Sequence, residues 1–215
     1  MPLTDSSPLA LQRSGLIEYE EALEIQRTIH QEVSSGERAN TLILLEHPSI
    51  YTAGKRTLDE ERPGNGARVL DVDRGGKITW HGPGQLVGYP IVRLSNPHEL
   101  VGFVREIEAG LIKVCSDFGV KGERVAGRSG VWVVDEKGER KVAAIGIRVA
   151  SGTSMHGFAL NVNPDLSAFD AIIPCGISDA AVTSLERELG RPITIEEVTP
   201  VVEKHLYESL TKVSK

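Results

Sequence analysis

Gln85-Leu86-Val87-Gly88-Tyr89-Pro90-Ile91-Val92-Arg93-Leu94-Ser95-Asn96-Pro97-His98-Glu99-Leu100 decides the fold class, because it runs from a strand straight into a helix opening. Its first ten residues are an apolar, β-branched-rich run of strand length. Asn96 can then cap a helix, Pro97 suits the first helical position, and Glu99 stands where a capping box wants an acid. Downstream, Leu100, Val104, Ile107, Leu111, Cys115 and Phe118 recur at three- and four-residue spacing, so one helix face is buried.

The same alternation extends outward. Ile17 to Ser34 reads as a helix with Glu18, Glu20 and Glu21 in its first turn, where the dipole favours negative charge. Asn40–Glu46, Arg68–Asp71, Lys77–His81, Gly130–Asp135, Lys141–Ala150 and His156–Val162 read as strands, and Thr194 with Glu197 opens a C-terminal helix to Leu210. The expectation is a single α/β (α+β) domain over residues 1–215, a mixed sheet flanked by helices. Residues 1–8 and 212–215 are expected to be flexible ends, and the loop Arg62-Pro63-Gly64-Asn65-Gly66 mobile.

A 215-residue chain with 40% hydrophobic and 25% charged residues can bury a full core. Its net charge of -6 argues against nucleic-acid binding, which depends on clustered Lys and Arg. No segment is long and apolar enough to span a bilayer, and the N-terminus lacks the basic and apolar regions of a secretory signal. The expected setting is therefore cytoplasmic, with no membrane contact and both cysteines reduced.

Those two thiols differ in context. Cys115 falls on the apolar helix stripe and behaves as core. Cys175 lies in Ile173-Pro174-Cys175-Gly176-Ile177, where Pro and Gly shape a tight turn with backbone N–H groups nearby. That context suits a presented nucleophile and equally a structural turn cysteine. Lys141 opens the strand Lys141-Val142-Ala143-Ala144-Ile145-Gly146. Strict alternation puts it on one face with Ala143 and Ile145, where it could serve a thiol as base; the other reading is a solvated lysine ending a turn. His81 and His156, each followed by Gly, suit substrate orientation or structural hydrogen bonding, and His47 an architectural role.

The stretch Arg74-Gly75-Gly76-Lys77-Ile78-Thr79-Trp80-His81-Gly82-Pro83-Gly84-Gln85 is neither a P-loop nor a dinucleotide fingerprint. Glycine at this density lets backbone approach a ligand closely, and a slot for a flexible apolar chain fits better than a phosphate cradle. No metal-binding spacing is present.

In order, Glu46-His47-Pro48, Tyr51-Thr52-Ala53-Gly54, Arg74-Gly75-Gly76, His81-Gly82-Pro83-Gly84-Gln85-Leu86, Tyr89-Pro90, Gly130-Val131-Trp132-Val133, Lys141-Val142-Ala143-Ala144-Ile145-Gly146, His156-Gly157 with Asn161, Ile173-Pro174-Cys175-Gly176-Ile177 and Thr183-Ser184-Leu185 resemble the lipoyl (octanoyl) transferases of lipoate biosynthesis. The resemblance spans Thr41 to Leu185. It implies the fold of biotin and lipoate protein ligases, and a Cys175/Lys141 pair that moves an octanoyl group from acyl carrier protein to a lysine.

The acceptors it implies are lipoyl domains of 2-oxoacid dehydrogenase complexes and the glycine cleavage H protein. Neither ATP nor metal is expected, since the acyl group arrives on the carrier's phosphopantetheine, and the enzyme is expected to be a monomer. Substrate-binding residues are expected at Arg74, Gly75, Gly76, Lys77, Thr79, His81, Gly82, Gly84, Gln85, Ala144, Ile145, Gly146, His156, Gly157 and Ala159. An acidic carrier also calls for a basic patch, for which Arg56, Arg62, Arg68, Arg74 and Lys77 are the nearest candidates. Competing readings are an ATP-dependent lipoate or biotin ligase, a Cys-His thioesterase using His81 or His156, and a non-catalytic scaffold for lipoylated proteins.

Overall fold

The computed structural model describes residues 8–172 and 181–215. The helix expected from Ile17 is α1 (Tyr19–Ser35), and its buried residues Tyr19, Ala22, Gln26, Ile29 and Val33 keep the helical period. The main sheet is built from β1 (Leu9–Leu16), β2 (Asn40–Glu46), β6 (Gln85–Ile91), β7 (Gly122–Val125), β8 (Arg128–Asp135), β9 (Gly138–Ala150), β10 (Thr153–Asn161) and β11 (Ala181–Val182). Their spatial order is β1-β2-β6-β10-β9-β8-β7, with β11 pairing β9. The β1–β2 and β11–β9 pairs are parallel and the rest antiparallel, so the sheet is mixed.

Three further strands, β3 (Ile50–Ala53), β4 (Val69–Asp71) and β5 (Thr79–His81), form a small sheet in the order β4-β3-β5. A 3-10 turn over Leu166–Ala171 brings Phe169 edge-on to Trp80 of this sheet, at 5.5 Å between ring centres.

Helices cover both faces of the main sheet. Leu42 and Leu44 of β2 point into the cluster with α2 (Leu100–Asp117) and α4 (Ile195–Leu210), while Ile43 and Leu45 point toward α1. Burial on both faces is why β2 reads as an unbroken apolar run. Cys115 sits inside the larger cluster, and burial pushes its thiol pKa up to about 12, as a core thiol requires.

One boundary moved. Asn96 does not cap α2: its Oδ1 accepts from His98 N and its side-chain amide meets Glu99, so helix begins only at Leu100. The buried stripe accordingly runs through Phe103, Ile107, Leu111, Val114 and Cys115, leaving Leu100 exposed. The Thr194–Glu197 capping box forms as expected. Strands β1, β3, β7 and β11 and the short α3 (Leu185–Leu189) carried too little pattern to be read beforehand. At the C-terminus Lys215 N donates to Arg93 O and Ser214 bridges Leu94, which ties this end to the sheet. No described helix is long and apolar enough to cross a membrane.

Candidate active site

The site is built on two irregularities of the main sheet. Across the β8–β9 ladder Val131 pairs with Ala143 but Trp132 pairs with Lys141, so Val142 is the extra residue of a β-bulge. Val142 and Ala143 therefore both enter the α2/α4 core, and Lys141 turns to the opposite face with Ala144 and Gly146. This corrects the alternation that grouped Lys141 with Ala143 and Ile145. Gly130, at φ 110, permits the bulge, since a Cβ there would lie 2.4 Å from Ala143 O. Lys141 is buried, with its ammonium 4.6 Å from the Trp132 ring centre.

The second irregularity lies in β10. Phe158 and Leu160 face α2 and α4, and strict alternation would send His156 the same way. His156 instead adopts φ 59, a left-handed conformation rare for a residue with a side chain. Its ring reaches Asp73 through Nε2 at 2.7 Å, its backbone N–H donates to Gln26 Oε1 of α1, and Asp73 also pairs with Arg148. Burial lowers its pKa, with Asp73 opposing. Local strain of this kind persists only where surrounding contacts over-determine it.

Between these points lies a cavity of about 260 Å³. Its floor crosses the sheet: Ala144 of β9 pairs Ala159 of β10, which pairs Val87 of β6. Small residues on β9 and β10 leave the room. The facing wall is the glycine-rich stretch, knitted by the buried Arg74 guanidinium, which donates to Gly75 O (3.0 Å), Lys77 O (2.8 Å), Thr52 O and Thr52 Oγ1 (both 2.9 Å). A Cβ on Gly146 would lie 2.9 Å from the Arg74 side chain, so glycine there is a condition of the packing.

The end over β6 is polar and aromatic. His81 stacks on Tyr19 at 5.8 Å and meets His47 edge-on at 5.7 Å, and Tyr89 hydrogen-bonds His47 Nε2 at 2.7 Å. Burial, with His47 nearby, lowers the His81 pKa to about 3, and burial lowers that of His47 to about 4. Both imidazoles are neutral near pH 7. The Gln85 amide donates to Trp80 O and to Asn161 Oδ1, and Asn161 donates to Thr183 O. Thr183 N in turn donates to Lys141 O, linking His81 to the lysine strand through one buried polar chain.

Of the expected substrate-binding residues, Arg74, Gly76, Lys77, Thr79, His81, Ala144, Ile145, Gly146, His156, Gly157 and Ala159 line this cavity, as does Lys141. Gln85 lines a smaller void that adjoins Lys141 and Asn161. Gly75, Gly82 and Gly84 stand behind the wall: Gly75 N docks on Ile147 O, Gly82 packs on Trp80, and Gly84 N–H donates to Glu46 Oε1. Cys175 lies outside the described residues, with Pro174 and Gly176. The described residues flanking that segment, Ile172 and Ala181, pack with Trp80 and Phe169 and pair with Arg140 respectively.

The basic patch is only partly there. Arg62 pairs with Asp59 and Asp71, Arg68 with Glu20 and Lys77 with Glu61, while Arg74 is buried structural mortar. Arg56 is exposed at the cavity wall, joined by Gly127, Arg128 and Ser129 of the β7–β8 hairpin. Tyr19, Val87 and this hairpin were missed, since nothing local distinguishes them from ordinary core or turn residues, while Tyr89 belonged to a matching motif without being assigned to the site. Among the described residues no cluster of three or more His, Cys, Asp or Glu side chains forms a metal site.

The fold is the one shared by lipoate and biotin protein ligases of known structure. A lipoate-protein ligase A bound with ATP superposes with a TM-score of 0.74 at 16% identity, over 94% of this chain and 85% of that one. A biotin protein ligase from Aquifex aeolicus superposes with a TM-score of 0.52 at 15% identity, over 95% of this chain and 68% of that one. In sequence, a protein from Salinispora tropica named octanoyltransferase is 58% identical over 95% of this chain and 97% of its own length. Another of that name, from Leifsonia xyli, is 56% identical over 88% of both chains. The profile described as lipoyl protein ligase A/B catalytic domain matches residues 18–207, and the chain belongs to that family, grouping with its octanoyltransferases and thus with the acyltransferases.

Proposed function

We propose that the protein transfers an octanoyl group from the phosphopantetheine thioester of acyl carrier protein to a lysine of lipoyl domains, through a thioester on Cys175. The observation that carries this reading is the bulge that turns Lys141 into the cavity, beside the strand that follows the Cys175 segment: β11 pairs Val182 with Lys141.

In the first half-reaction Lys141 accepts the Cys175 proton and the thiolate adds to the thioester carbonyl. The tetrahedral oxyanion is stabilised by backbone N–H donors. Its collapse breaks the bond to the carrier sulfur, which leaves as a thiol with the proton returned by Lys141. In the second, the acceptor amine attacks the octanoyl-Cys175 thioester, Lys141 relays the amine proton, and the Cys175 thiol is regenerated beside a new amide. The donor is already an activated acyl group, so no ATP is consumed, and the covalent intermediate dictates ping-pong kinetics. The apolar floor contributes about 0.8 kcal/mol per buried methylene of the acyl chain.

Acceptors under this reading are the lipoyl domains of 2-oxoacid dehydrogenase complexes and the glycine cleavage H protein. A solved relative in fold, a bipartite lipoate protein ligase from Thermoplasma acidophilum, is described together with its E2 lipoyl domain.

The test is intact-protein mass spectrometry after mixing enzyme with octanoyl-carrier protein without ATP. The expected result is an octanoyl adduct, hydroxylamine-sensitive, that disappears in Cys175→Ala. Undiminished acceptor octanoylation by Cys175→Ala would overturn the covalent route.

A further inference from the structure

We infer that the end of the cavity over β6 accepts an acyl chain bearing a hydroxyl on its last carbon, which donates to the free lone pair of His81 Nε2. The inference rests on the acyl-transfer reading above and extends it to a class of substrate.

The tautomer of His81 follows from its neighbours. The Gln85 amide nitrogen is committed to Trp80 O at 3.3 Å and Asn161 Oδ1 at 2.9 Å, so the Gln85 oxygen faces His81 Nδ1 at 2.7 Å. An oxygen there must accept, so Nδ1 carries the proton and Nε2 carries the lone pair. That Nε2 has no hydrogen-bond partner among the described residues, although the ring is only 7% exposed and lines the cavity. Burial keeps the imidazole neutral down to about pH 3, so the lone pair stays available across the working range.

Position supports the assignment. Ala144, Ala159 and Val87 form a cross-strand row from β9 to β6. Two strand spacings span about 10 Å, comparable to an extended eight-carbon chain reaching from the Lys141 side. The chain's last carbon then lies among Tyr19, His81 and Tyr89 rather than against aliphatic core. A methyl there leaves Nε2 without a donor, while a hydroxyl supplies one. The reaction is otherwise unchanged: the same carbonyl passes from carrier sulfur to Cys175 and then to the acceptor amine, and the hydroxyl is carried along intact.

The experiment compares octanoyl, ω-hydroxyoctanoyl and ω-fluorooctanoyl groups on carrier protein, reading kcat/KM for transfer to a lipoyl domain. Fluorine matches hydroxyl in size but cannot donate. The wild-type enzyme is expected to transfer the hydroxyl chain at least as well as the fluoro chain. In His81→Phe the hydroxyl-to-fluoro ratio should fall by about tenfold, the worth of one buried hydrogen bond. A wild-type preference for the fluoro chain, or a ratio unchanged in His81→Phe, overturns the assignment. The wild-type arm does not depend on how well the variant folds. Absence of octanoyl transfer itself would instead count against the acyl-transfer reading.

Discussion

The ammonium of Lys141 lies 4.6 Å from the centre of the Trp132 indole, its partner across the β8–β9 ladder. Arg128, four residues earlier on β8, also lies over that ring at 5.7 Å, so the indole carries cations at the cavity wall. A buried ammonium needs such a surface, because it has left most of its water behind. Under the proposed mechanism, proton transfer from Cys175 to Nζ depends on where that ring holds the ammonium.

Replacing Trp132 should therefore affect turnover more than substrate affinity. The expected order of kcat is wild type, then Trp132→Phe, then Trp132→Leu, with the last lowered roughly 2- to 30-fold, matching about 0.5–2 kcal/mol of lost cation–π interaction. Steady-state kinetics with octanoyl-carrier protein, at a temperature where both variants remain folded, decide it. Equal kcat values would leave Trp132 as packing alone.

Arg74 should prove structural. Its four donations to Gly75, Lys77 and Thr52 satisfy buried acceptors that a lysine cannot reach together. Arg74→Lys is expected to lose about 2–4 kcal/mol of stability through orphaned acceptors. Urea unfolding measures this directly, and an unshifted midpoint would contradict the assignment.

Carrier docking should separate Arg56 from Arg68. Arg56 is exposed at the cavity wall, whereas Arg68 is paired with Glu20 at the surface. Arg56→Glu is expected to raise the KM for carrier roughly tenfold in a salt-dependent way, and Arg68→Glu to change it little. Matching effects at the two positions would point to a diffuse patch.

Acid should loosen the aromatic end of the cavity. The folded pKa of His47 is lowered to about 4, below the unfolded value of about 6.5. Between those values the unfolded chain binds a proton that the folded chain refuses, so stability present above pH 6.5 is lost as pH falls toward 4. The loss from His47 is on the order of 2–3 kcal/mol. Unfolding free energies at pH 7 and 4.5 should show a steeper fall in wild type than in His47→Gln; parallel falls would assign the effect to other groups.

What was legible in the sequence had a local cause. The Thr194–Glu197 box needs only its own four residues, and β2 shows its burial on both faces as an unbroken apolar run. The ordered motifs likewise brought Arg74, His81, Lys141, Gly146 and His156 into one reading before any fold was seen, and they do share one cavity. Short strands such as β3 and β11 gave no such signal, because their pairing partners lie far along the chain.

The sequence by itself determined a mixed α/β fold with a mixed sheet, and it picked out residues that turn out to line one cavity. Only the tertiary structure decided where those groups point. Alternation predicts a side chain's face only while the ladder is regular, and here it breaks at Val142 and at His156. The first break depends on Gly130 letting the neighbouring strand close in, the second on Gln26 and Asp73 holding a strained backbone. Both are contacts between residues distant in the chain, so no window of sequence contains them.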